Sequence, residues 1–401
     1  QAAAWLEGKG LQILERNYRC KKGEIDLIAR EDGTYVFLEV KYRKGEGSGH
    51  PAEAVDERKQ KRISGSALWY LAKRGAMEAP LQVRCDRCGR GRGMYPLVPE
   101  RLRLPALILE DKNQEMKKER NIPMSLGLIY KNQETILEER ETYGVPYLVY
   151  PLLEETGIVT HAFSTRLGGV SKGPWATMNL SGTRGDDPEA VEENKRRMAR
   201  ALGVRVGDLT YTHQTHTTNV AVVREADRGT RFMETDGMVT NVPGLCLVTF
   251  YADCVPLYFV DPVHKAIGLS HSGWRGTVGK MGKVTVEKMK KTFGTDPKDL
   301  VAAIGPSICQ DCYEVSGDVI EEFKKAFPEG LWAQLFYEKD NGKYQLDLWA
   351  ANKAVLLEAG IPESQIAVTN LCTHCNPDIL FSHRAQGDRR GNLSAFLALK
   401  E

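Results

Sequence analysis

The middle of the chain carries two apolar runs, residues 245–251 and 266–269, and each is followed by a side chain that can bind a metal ion. Short apolar runs bounded by polar turns predict buried strands. Cys254 follows the first run and His271 follows the second. Because separate strands can end at one edge of a sheet, this pattern predicts a fold in which both side chains meet at such an edge.

A third side chain completes a set of metal donors. His216 precedes another strand-like run, residues 219–223. Together with Cys254 and His271 it forms a three-ligand zinc set, which leaves a fourth position open for water or substrate, as in catalytic zinc sites. The alternative is that the cysteine is a small buried apolar side chain and that each histidine is an ordinary surface or core residue.

Composition limits the classes of protein to which the chain can belong. With 401 residues it exceeds one ordinary core, so we expect two domains. Lys and Arg total 55 against 53 Asp and Glu, which gives no net basicity for nucleic-acid binding. No apolar run reaches the roughly 20 residues of a membrane span, and the first residues predict no signal peptide. The nine cysteines then favour a reducing compartment, and we expect a cytoplasmic protein without membrane contact.

The first domain is expected to cover residues 1–95 and to contain a β-hairpin. Two strand-like runs, residues 23–29 and 35–41, flank Asp32-Gly33, a dipeptide that is a strong hairpin signal. Apolar side chains fall on both faces of the second run, so we expect the middle of the hairpin to be buried on both sides.

Charged residues occupy alternate positions along the two hairpin strands. Glu24 and Asp26 share one face of the first strand, and Glu39 and Lys41 share one face of the second. Adjacent strands would therefore bring Asp26, Glu39 and Lys41 to one spot. Carboxylates paired in this way bind Mg²⁺, and a neighbouring lysine can assist an attacking water in phosphodiester hydrolysis. The alternative is an ordinary ion pair on the solvent face of an edge strand.

Three sequence segments of the first domain resemble a known nuclease family. The resemblance is to the PD-(D/E)XK nuclease fold, and more narrowly to YraN-type proteins, through RNYRCKKGEIDLIAR, VFLEVKYR and HPAEAVDERKQKRI. It implies a nuclease-like site formed by Glu24, Asp26, Glu39 and Lys41, with Mg²⁺ on the carboxylates and nucleic acid as the partner of the domain. The sequence leaves open whether this domain cuts DNA.

Residues 96–122 are rich in charge and poor in periodicity, which predicts a linker to a second domain at 123–401. Strand-like runs and helices alternate there, which indicates an α/β or α+β domain with a large central sheet. Four helices and a final strand are predicted within it: helices over residues 188–202, 276–293, 316–327 and 347–358, and a strand over residues 392–399.

The second domain resembles the YfiH-type laccase-domain proteins, which are also called purine nucleoside phosphorylases or polyphenol oxidases. The matching words span it in order: FSTRLGGVS at 163–171, QTH at 214–216, TDG at 235–237, ADC at 252–254, HSGWRG at 271–276 and FSHR at 381–384. The resemblance implies a mixed α/β fold with zinc on His216, Cys254 and His271. It also implies phosphorolysis of adenosine and inosine, deamination of adenosine, and cleavage of methylthioadenosine.

Three further residues are candidates for catalysis. Asp253 is next to a zinc ligand, where it could carry a proton or orient a ligand histidine. Arg166 follows a strand and precedes two glycines, and Arg275 lies near a helix start, so both are candidates for contact with phosphate or ribose. The alternative for each arginine is an ion pair in the rim of the site.

The number of histidines in the second domain argues against a multicopper centre. A blue-copper site and a trinuclear cluster together need on the order of ten histidines. After residue 122 the chain has seven: His161, His213, His216, His264, His271, His374 and His383. A single Cu²⁺ could still replace Zn²⁺ on the histidine and cysteine donors, since such ligands favour copper.

Two pairs of cysteines have the spacing of a second zinc site. Cys309 and Cys312 form one pair, and Cys372 and Cys375 form the other. Cys312 and Cys372 also lie within words that the laccase-domain resemblance accounts for, as ordinary sheet residues. We favour the second interpretation.

The sequence therefore predicts a fusion of a nuclease-like domain with a zinc-dependent purine nucleoside phosphorylase that also deaminates adenosine. Its partners would be purine nucleosides and phosphate. A structure-selective DNA endonuclease and a copper-dependent polyphenol oxidase are the alternatives. The preferred nucleoside, cooperation between the domains and the oligomeric state cannot be derived from the sequence.

Overall fold

The structure is a computed structural model, and it describes residues 11–20, 23–31, 34–42, 66–67, 70–71, 74, 81–88, 95–96 and 126–401. The chain divides into two compact units, residues 1–119 and 120–401. Most of the predicted linker, residues 96–122, lies outside the described residues. The domain boundaries at 95 and 122 therefore stay a prediction.

The described strands of the N-terminal unit form a single sheet, and residues 66–67 and 70–71 are helical. Its order is β1-β2-β3-β4-β5, with β3 and β4 parallel and the other neighbours antiparallel. The predicted hairpin is confirmed, because β2 and β3 flank Asp32-Gly33. The strands are β1 (Gln12–Cys20), β2 (Gly23–Glu31), β3 (Thr34–Tyr42), β4 (Leu81–Cys88) and β5 (Tyr95–Pro96).

Both faces of this sheet carry apolar side chains at the middle of the hairpin. Ile28 and Phe37 pack on one face with Tyr70, and Leu27 and Leu38 pack on the other. The predicted burial on both sides is therefore confirmed. Burial of side chains of this size stabilises the folded state by about 1.5–3 kcal/mol each, which makes the hairpin the centre of this unit.

The C-terminal unit is built from strands and helices throughout residues 126–401. The strands are β6 (Glu138–Thr142), β7 (Val145–Val149), β8 (Val159–Ser164), β9 (Leu209–Thr212), β10 (Val220–Val222), β11 (Arg231–Phe232), β12 (Gly237–Thr240), β13 (Cys246–Tyr251), β14 (Val255–Asp261), β15 (Ala266–Ser272), β16 (Val301–Ile304), β17 (Glu314–Val315), β18 (Phe336–Glu338), β19 (Tyr344–Leu346), β20 (Ile366–Val368) and β21 (Leu393–Leu399). The α-helices are α1 (Pro151–Glu154), α2 (Pro188–Leu202), α3 (Trp274–Val278), α4 (Met281–Phe293), α5 (Gly317–Ala326), α6 (Glu329–Leu335), α7 (Leu348–Glu358) and α8 (His383–Gln386).

Two large sheets replace the one large central sheet that the sequence predicted. One has six strands in the order β10-β12-β15-β14-β16-β20, and the other has seven in the order β11-β9-β13-β21-β8-β7-β6 within residues 126–401. The expectation of one sheet was wrong because the long strands are apolar on both faces, so their sequences do not show to which sheet each belongs.

The two sheets pack against each other and are covered by helices. Phe163 and Leu247 of the seven-stranded sheet share a core with Tyr258 and Ile267 of the six-stranded sheet. The outer face of the seven-stranded sheet packs on α2 through Met198. On the outer face of the six-stranded sheet, a further core includes side chains of α4, α5 and α7. The unit therefore has four layers, with the sheets in the middle.

Most predicted helices are confirmed, and one is wrong. Helix α2 begins after Asp187, whose side chain accepts a hydrogen bond from the backbone N–H of Glu189 at 3.0 Å. The single helix predicted over residues 276–293 is two helices, α3 and α4. They are separated at Lys280, whose φ of +59° lies in the left-handed region. Glycines at 276, 279 and 282 weaken helix propensity across this break.

Among the described residues, no helix combines the length and the apolar character that a bilayer span would need.

Candidate metal site and its surroundings

Three secondary-structure junctions bring the predicted donors together. His216 lies in the loop between β9 and β10, and Cys254 lies one residue before β14. His271 is the sixth residue of β15, so it lies within a strand rather than after it as predicted. Strands β14 and β15 are antiparallel, with Pro256 opposite His271. This register places the start of β14, and hence Cys254, beside the end of β15.

The donor atoms of His216, Cys254 and His271 all lie within 4.8 Å of one another. A tetrahedral zinc ion has Zn–S near 2.3 Å and Zn–N near 2.0–2.1 Å, which requires its donors to lie roughly 3.5 Å apart. The observed arrangement therefore fits one ion with small adjustments. His271 is buried, whereas His216 is exposed, so the group opens to solvent on the His216 side.

Glycine is required beside this group. A Cβ atom at Gly273 would lie 3.0 Å from Sγ of Cys254 and 3.2 Å from Cδ2 of His216. Any side chain at this position would therefore press directly on two of the three donors. The HSGWRG segment thus contains both the candidate ligand His271 and the glycine, Gly273, that leaves room for the other two candidate ligands.

Asp236 forms hydrogen bonds that position His271 and the loop that carries His216. Its carboxylate accepts a hydrogen bond from Nδ1 of His271 at 2.9 Å, which leaves Nε2 available for a metal ion. It also accepts hydrogen bonds from the backbone N–H groups of Thr215, His216 and Thr217 at 2.9–3.1 Å. One buried carboxylate therefore fixes the orientation of one histidine and the loop that carries the other.

Sequence reasoning missed the role of Asp236. Asp253 was the candidate for orienting a ligand histidine, but the residue that contacts His271 is Asp236. The Thr235-Asp236-Gly237 segment was the available signal, because Asp236 lies immediately before β12, which pairs with β15 near His271.

The charges of the group are coupled in the absence of a metal ion. Burial opposes ionisation of the Cys254 thiol, but His271 and His216 outweigh it and lower the pKa of Cys254 to about 6. Burial also opposes a charged His271, yet Cys254 and Asp236 raise its pKa to about 9. For Asp236, hydrogen bonds outweigh burial and lower the pKa to about 2. Near neutral pH the group is therefore a thiolate beside an imidazolium.

This charge state predicts how metal affinity depends on pH. Between neutral pH and about 9, an incoming cation must displace the proton of His271, whose pKa is raised to about 9. We expect the apparent affinity for Zn²⁺ to rise about tenfold per pH unit in this window and to level off above it. Competition with a chelator at several pH values, corrected for protonation of the chelator, measures the slope. A flat affinity across the window would show that metal binding displaces no proton from His271.

Asp253 is held in a strained conformation beside Cys254. Its φ is +85°, which is unusual for a residue with a side chain. One carboxylate oxygen accepts a hydrogen bond from Oγ1 of Thr373 at 2.6 Å, and the other accepts one from the backbone N–H of Arg384 at 2.7 Å. His216, with φ +62°, is strained in the same way. Both residues belong to the candidate metal site, although positive φ also occurs elsewhere in the described residues, as at Lys280.

The two predicted arginines have different surroundings. Arg166 donates hydrogen bonds to the backbone carbonyls of Ala176 and Pro377 at 2.9 and 2.6 Å, and its guanidinium lies over the ring of Phe381. These contacts favour a structural role in its loop. Arg275 is exposed, stacks on Trp274 and forms no ion pair within the described residues.

Arg390 is an additional candidate that sequence reasoning missed. Its side chain is buried, and its Nε atom has no hydrogen-bond partner within the described residues. Burial lowers the pKa of Arg390 to about 10, although the negative charges of Asp253 and Cys254 act in the opposite direction. Arg390 is therefore a buried cation within electrostatic reach of the donors, with one N–H group available for a ligand.

The residues of the predicted nuclease-like site are only partly described. The β2–β3 ladder pairs Leu27 with Leu38, and Asp26 and Glu39 are the next residue on each strand. Glu24 is exposed and forms an ion pair with Arg19 at 3.4 Å. The side chains of Glu39 and of Lys41 lie outside the described residues. The convergence of these four side chains therefore stays a prediction.

Comparison with known proteins finds similarity in both units. Residues 160–400 match the family described as multi-copper polyphenol oxidoreductase laccase, and residues 1–89 match the uncharacterised protein family UPF0102. The predicted fold class is confirmed by these matches and by a solved structure. That structure, of YlmD from Geobacillus stearothermophilus, superposes with a TM-score of 0.62 at 34% identity, covering 66% of this chain and 99% of the other.

Two relatives carry names that describe an activity. The purine nucleoside phosphorylase of Deinococcus radiodurans is 40% identical over 257 residues, covering 64% of this chain and 94% of the relative. Adenosine deaminase RL5, from an unknown prokaryotic organism, is 39% identical over 238 residues, covering 57% of this chain and 90% of the relative. Both matches are too short to cover the whole chain, so part of it has no counterpart in them.

Proposed function

The chain belongs to the family described as multi-copper polyphenol oxidoreductase laccase, and we propose that it is a zinc-dependent purine nucleoside phosphorylase that also deaminates adenosine. Relatives named purine nucleoside phosphorylase and adenosine deaminase support an enzyme of this kind. The observation that carries the proposal is the group of His216, Cys254 and His271, with one side open to solvent. Three donors with an open position are typical of catalytic zinc sites.

Zinc fits this group better than a multicopper centre does. Within the described residues, only two groups of three or more metal donors occur, and the second consists of four cysteines. His161 is buried and its Nε2 accepts a hydrogen bond from the backbone N–H of Tyr150, while Nδ1 of His264 contacts Asp261. These histidines are therefore occupied elsewhere. A single Cu²⁺ on the same three donors remains the alternative, and phenol oxidation that tracks added copper would favour it.

A zinc ion held by these donors would lower the pKa of a bound water toward neutrality and so supply hydroxide for deamination. The chain itself supplies the proton carrier. Asp253 is buried, and each of its oxygens accepts one hydrogen bond, which leaves further lone pairs free. We assign to this carboxylate the transfer of a proton from the attacking water to the leaving ammonia.

Phosphorolysis requires an anion-binding group next to the ribose. In this reaction a phosphate oxygen forms a bond to C1′, the C1′–N9 bond breaks, and a proton passes to the departing purine. Arg390 has a buried N–H group without a partner, and Arg275 has an exposed guanidinium beside the helix start. We assign phosphate to these two arginines, because guanidinium groups bind phosphate strongly. Arg166 stays a weaker candidate, since its guanidinium already donates to two carbonyls.

The proposed substrates are adenosine, inosine and methylthioadenosine. Purified chain should release hypoxanthine and ribose 1-phosphate from inosine only when phosphate is present. It should convert adenosine to inosine without phosphate, and a chelator should stop both reactions. Incubation of each nucleoside with and without phosphate, followed by chromatography, tests this. If the zinc-loaded chain converts none of these nucleosides, the proposal is wrong.

The N-terminal unit carries a second candidate function. Asp26 and Glu39 each lie one residue beyond the paired part of two adjacent strands, a position where carboxylates can bind Mg²⁺. We propose Mg²⁺-dependent cleavage of branched DNA, abolished by Asp26→Ala, as the activity of this unit.

The cytoplasm is the proposed compartment, because the seven described cysteines are free thiols.

A further inference from the structure

Four cysteines form a second group of metal donors in the C-terminal unit. Cys309 and Cys312 follow β16, and Cys372 and Cys375 follow β20. Their four Sγ atoms all lie within 4.8 Å of one another. None of these cysteines is part of a disulfide. Each pair has the C-x-x-C spacing that is found in structural zinc sites.

The topology of the six-stranded sheet explains why the two pairs meet. Strands β16 and β20 are parallel neighbours, with Ile304 opposite Val368. The segments after them stay together, since Ser307 forms a bridge with Cys372 and accepts a hydrogen bond from the backbone N–H of Thr373 at 3.1 Å. Parallel strands end at the same edge of a sheet, so both pairs leave it side by side.

The distances between the sulfur atoms distinguish a metal site from disulfides. With Zn–S near 2.3 Å, the sulfur atoms of a tetrahedral ZnS₄ site lie roughly 3.8 Å apart. Sγ of Cys312 lies 3.5 Å from Sγ of Cys375, close to that value and well beyond the S–S bond of about 2.05 Å. With all four Sγ atoms within 4.8 Å of one another, the arrangement fits a single ion after small adjustments.

The surroundings favour a negatively charged metal–thiolate group. The backbone N–H of Cys309 donates to Sγ of Cys372 at 3.3 Å, and hydrogen bonds to sulfur are typical outer contacts of thiolate sites. Lys131 forms an ion pair with Asp311 at 2.8 Å and lies within electrostatic reach of Cys309 and Cys375. A buried N–H and a nearby cation both reduce the free energy cost of gathering four thiolates around one ion.

We propose that Cys309, Cys312, Cys372 and Cys375 bind a second metal ion, a structural Zn²⁺ with all four positions filled by thiolate. Such a site is closed, so it holds no water for catalysis. The interpretation of Cys312 and Cys372 as ordinary sheet residues, favoured from the sequence, is thereby replaced. This site is separate from His216, Cys254 and His271, and it does not depend on the proposed nucleoside activity.

The ion would fix two segments that hold Asp253. Thr373, next to Cys372, donates to the Asp253 carboxylate, and the backbone N–H of Ile308, next to Cys309, donates to the Asp253 carbonyl at 3.0 Å. Both segments are joined through the four sulfur atoms. The proposed ion would therefore hold both segments in place against Asp253.

Native mass spectrometry of the full chain, purified without chelator, tests the proposal. We expect two zinc ions per chain from these two sites. Cys312→Ser and Cys375→Ser should each lose one ion, and His216→Ala should lose the other. Cys20→Ser, which removes a half-exposed thiol in the N-terminal unit, is the matched control and should keep both. A Cys312→Ser chain that keeps the wild-type zinc count would overturn the proposal.

A second measurement needs no variant and covers the case in which a cysteine variant does not fold. Native wild-type chain is treated with an alkylating reagent before and after addition of a chelator, and the modified peptides are identified. We expect the four cysteines to be protected until the chelator removes the ion. Immediate alkylation of all four, or the recovery of disulfides among them, would show that they bind no metal ion.

Discussion

Replacing Cys254 with serine is expected to remove the ion from the histidine and cysteine donors and to lower kcat/KM for inosine phosphorolysis by more than about a hundredfold. A serine hydroxyl does not ionise near neutral pH, so the site loses its one negatively charged donor. Loss of an outer contact alone costs roughly 10- to 100-fold in affinity or activity, and loss of a ligand should exceed that range. Zinc content and steady-state kinetics of the purified variant measure the effect.

Cys246→Ala is the matched control for this variant. Cys246 is a buried, free cysteine on β13, but it is not among the donors. We expect it to keep the full zinc content and to lose only stability. If Cys254→Ser retained both zinc and activity, the assignment of Cys254 as a ligand would be wrong, even if the chain proved to be a nucleoside phosphorylase.

Replacing Asp236 with asparagine is expected to weaken zinc binding by about 10- to 100-fold and to lower activity in parallel. The carboxylate accepts hydrogen bonds from His271 and from three consecutive backbone N–H groups around His216. An amide has only one oxygen, and its NH₂ group would face donors rather than acceptors. The variant therefore loses the orientation of one ligand and the anchor of the loop that carries another.

Asp261→Asn provides a matched control for the Asp236 variant. Asp261 is also fully buried, contacts Nδ1 of His264 at 3.0 Å and accepts hydrogen bonds from two backbone N–H groups. It lies outside the metal donors, so its replacement should reduce stability without changing zinc affinity. Equal effects of the two substitutions on zinc affinity would show that Asp236 acts only through stability.

The grouping of His216, Cys254 and His271 was predictable because each of them stands next to a strand-like run. They were proposed as metal ligands from residue type and position, and the structure places their candidate ligand atoms within 4.8 Å of one another. Asp236 was not assigned a role, because the Thr235-Asp236-Gly237 segment marks its position but does not show which groups its carboxylate contacts. Its contacts depend on the pairing of β12 with β15, which is a property of the sheet.

Pairing between distant strands also explains the other differences. Strands β13 and β15 are both buried throughout, so neither shows the alternation that would assign it to one sheet. The spacing of the two cysteine pairs is typical of a metal site, but only the parallel pairing of β16 with β20 brings Cys312 close to Cys375. The bounds of α2, residues 188–202, were predicted correctly because helix ends depend on nearby residues alone, here Asp187 before the helix and Gly203 after it.

The most direct test of the central claim is the return of zinc to metal-depleted full chain, with hypoxanthine release from inosine followed in the presence and absence of phosphate. We predict that activity is lost on depletion, returns with zinc only when phosphate is present, and does not return in Cys254→Ser. Phosphorolysis that is equally fast in the metal-free chain would contradict the claim that an ion on His216, Cys254 and His271 supports the reaction.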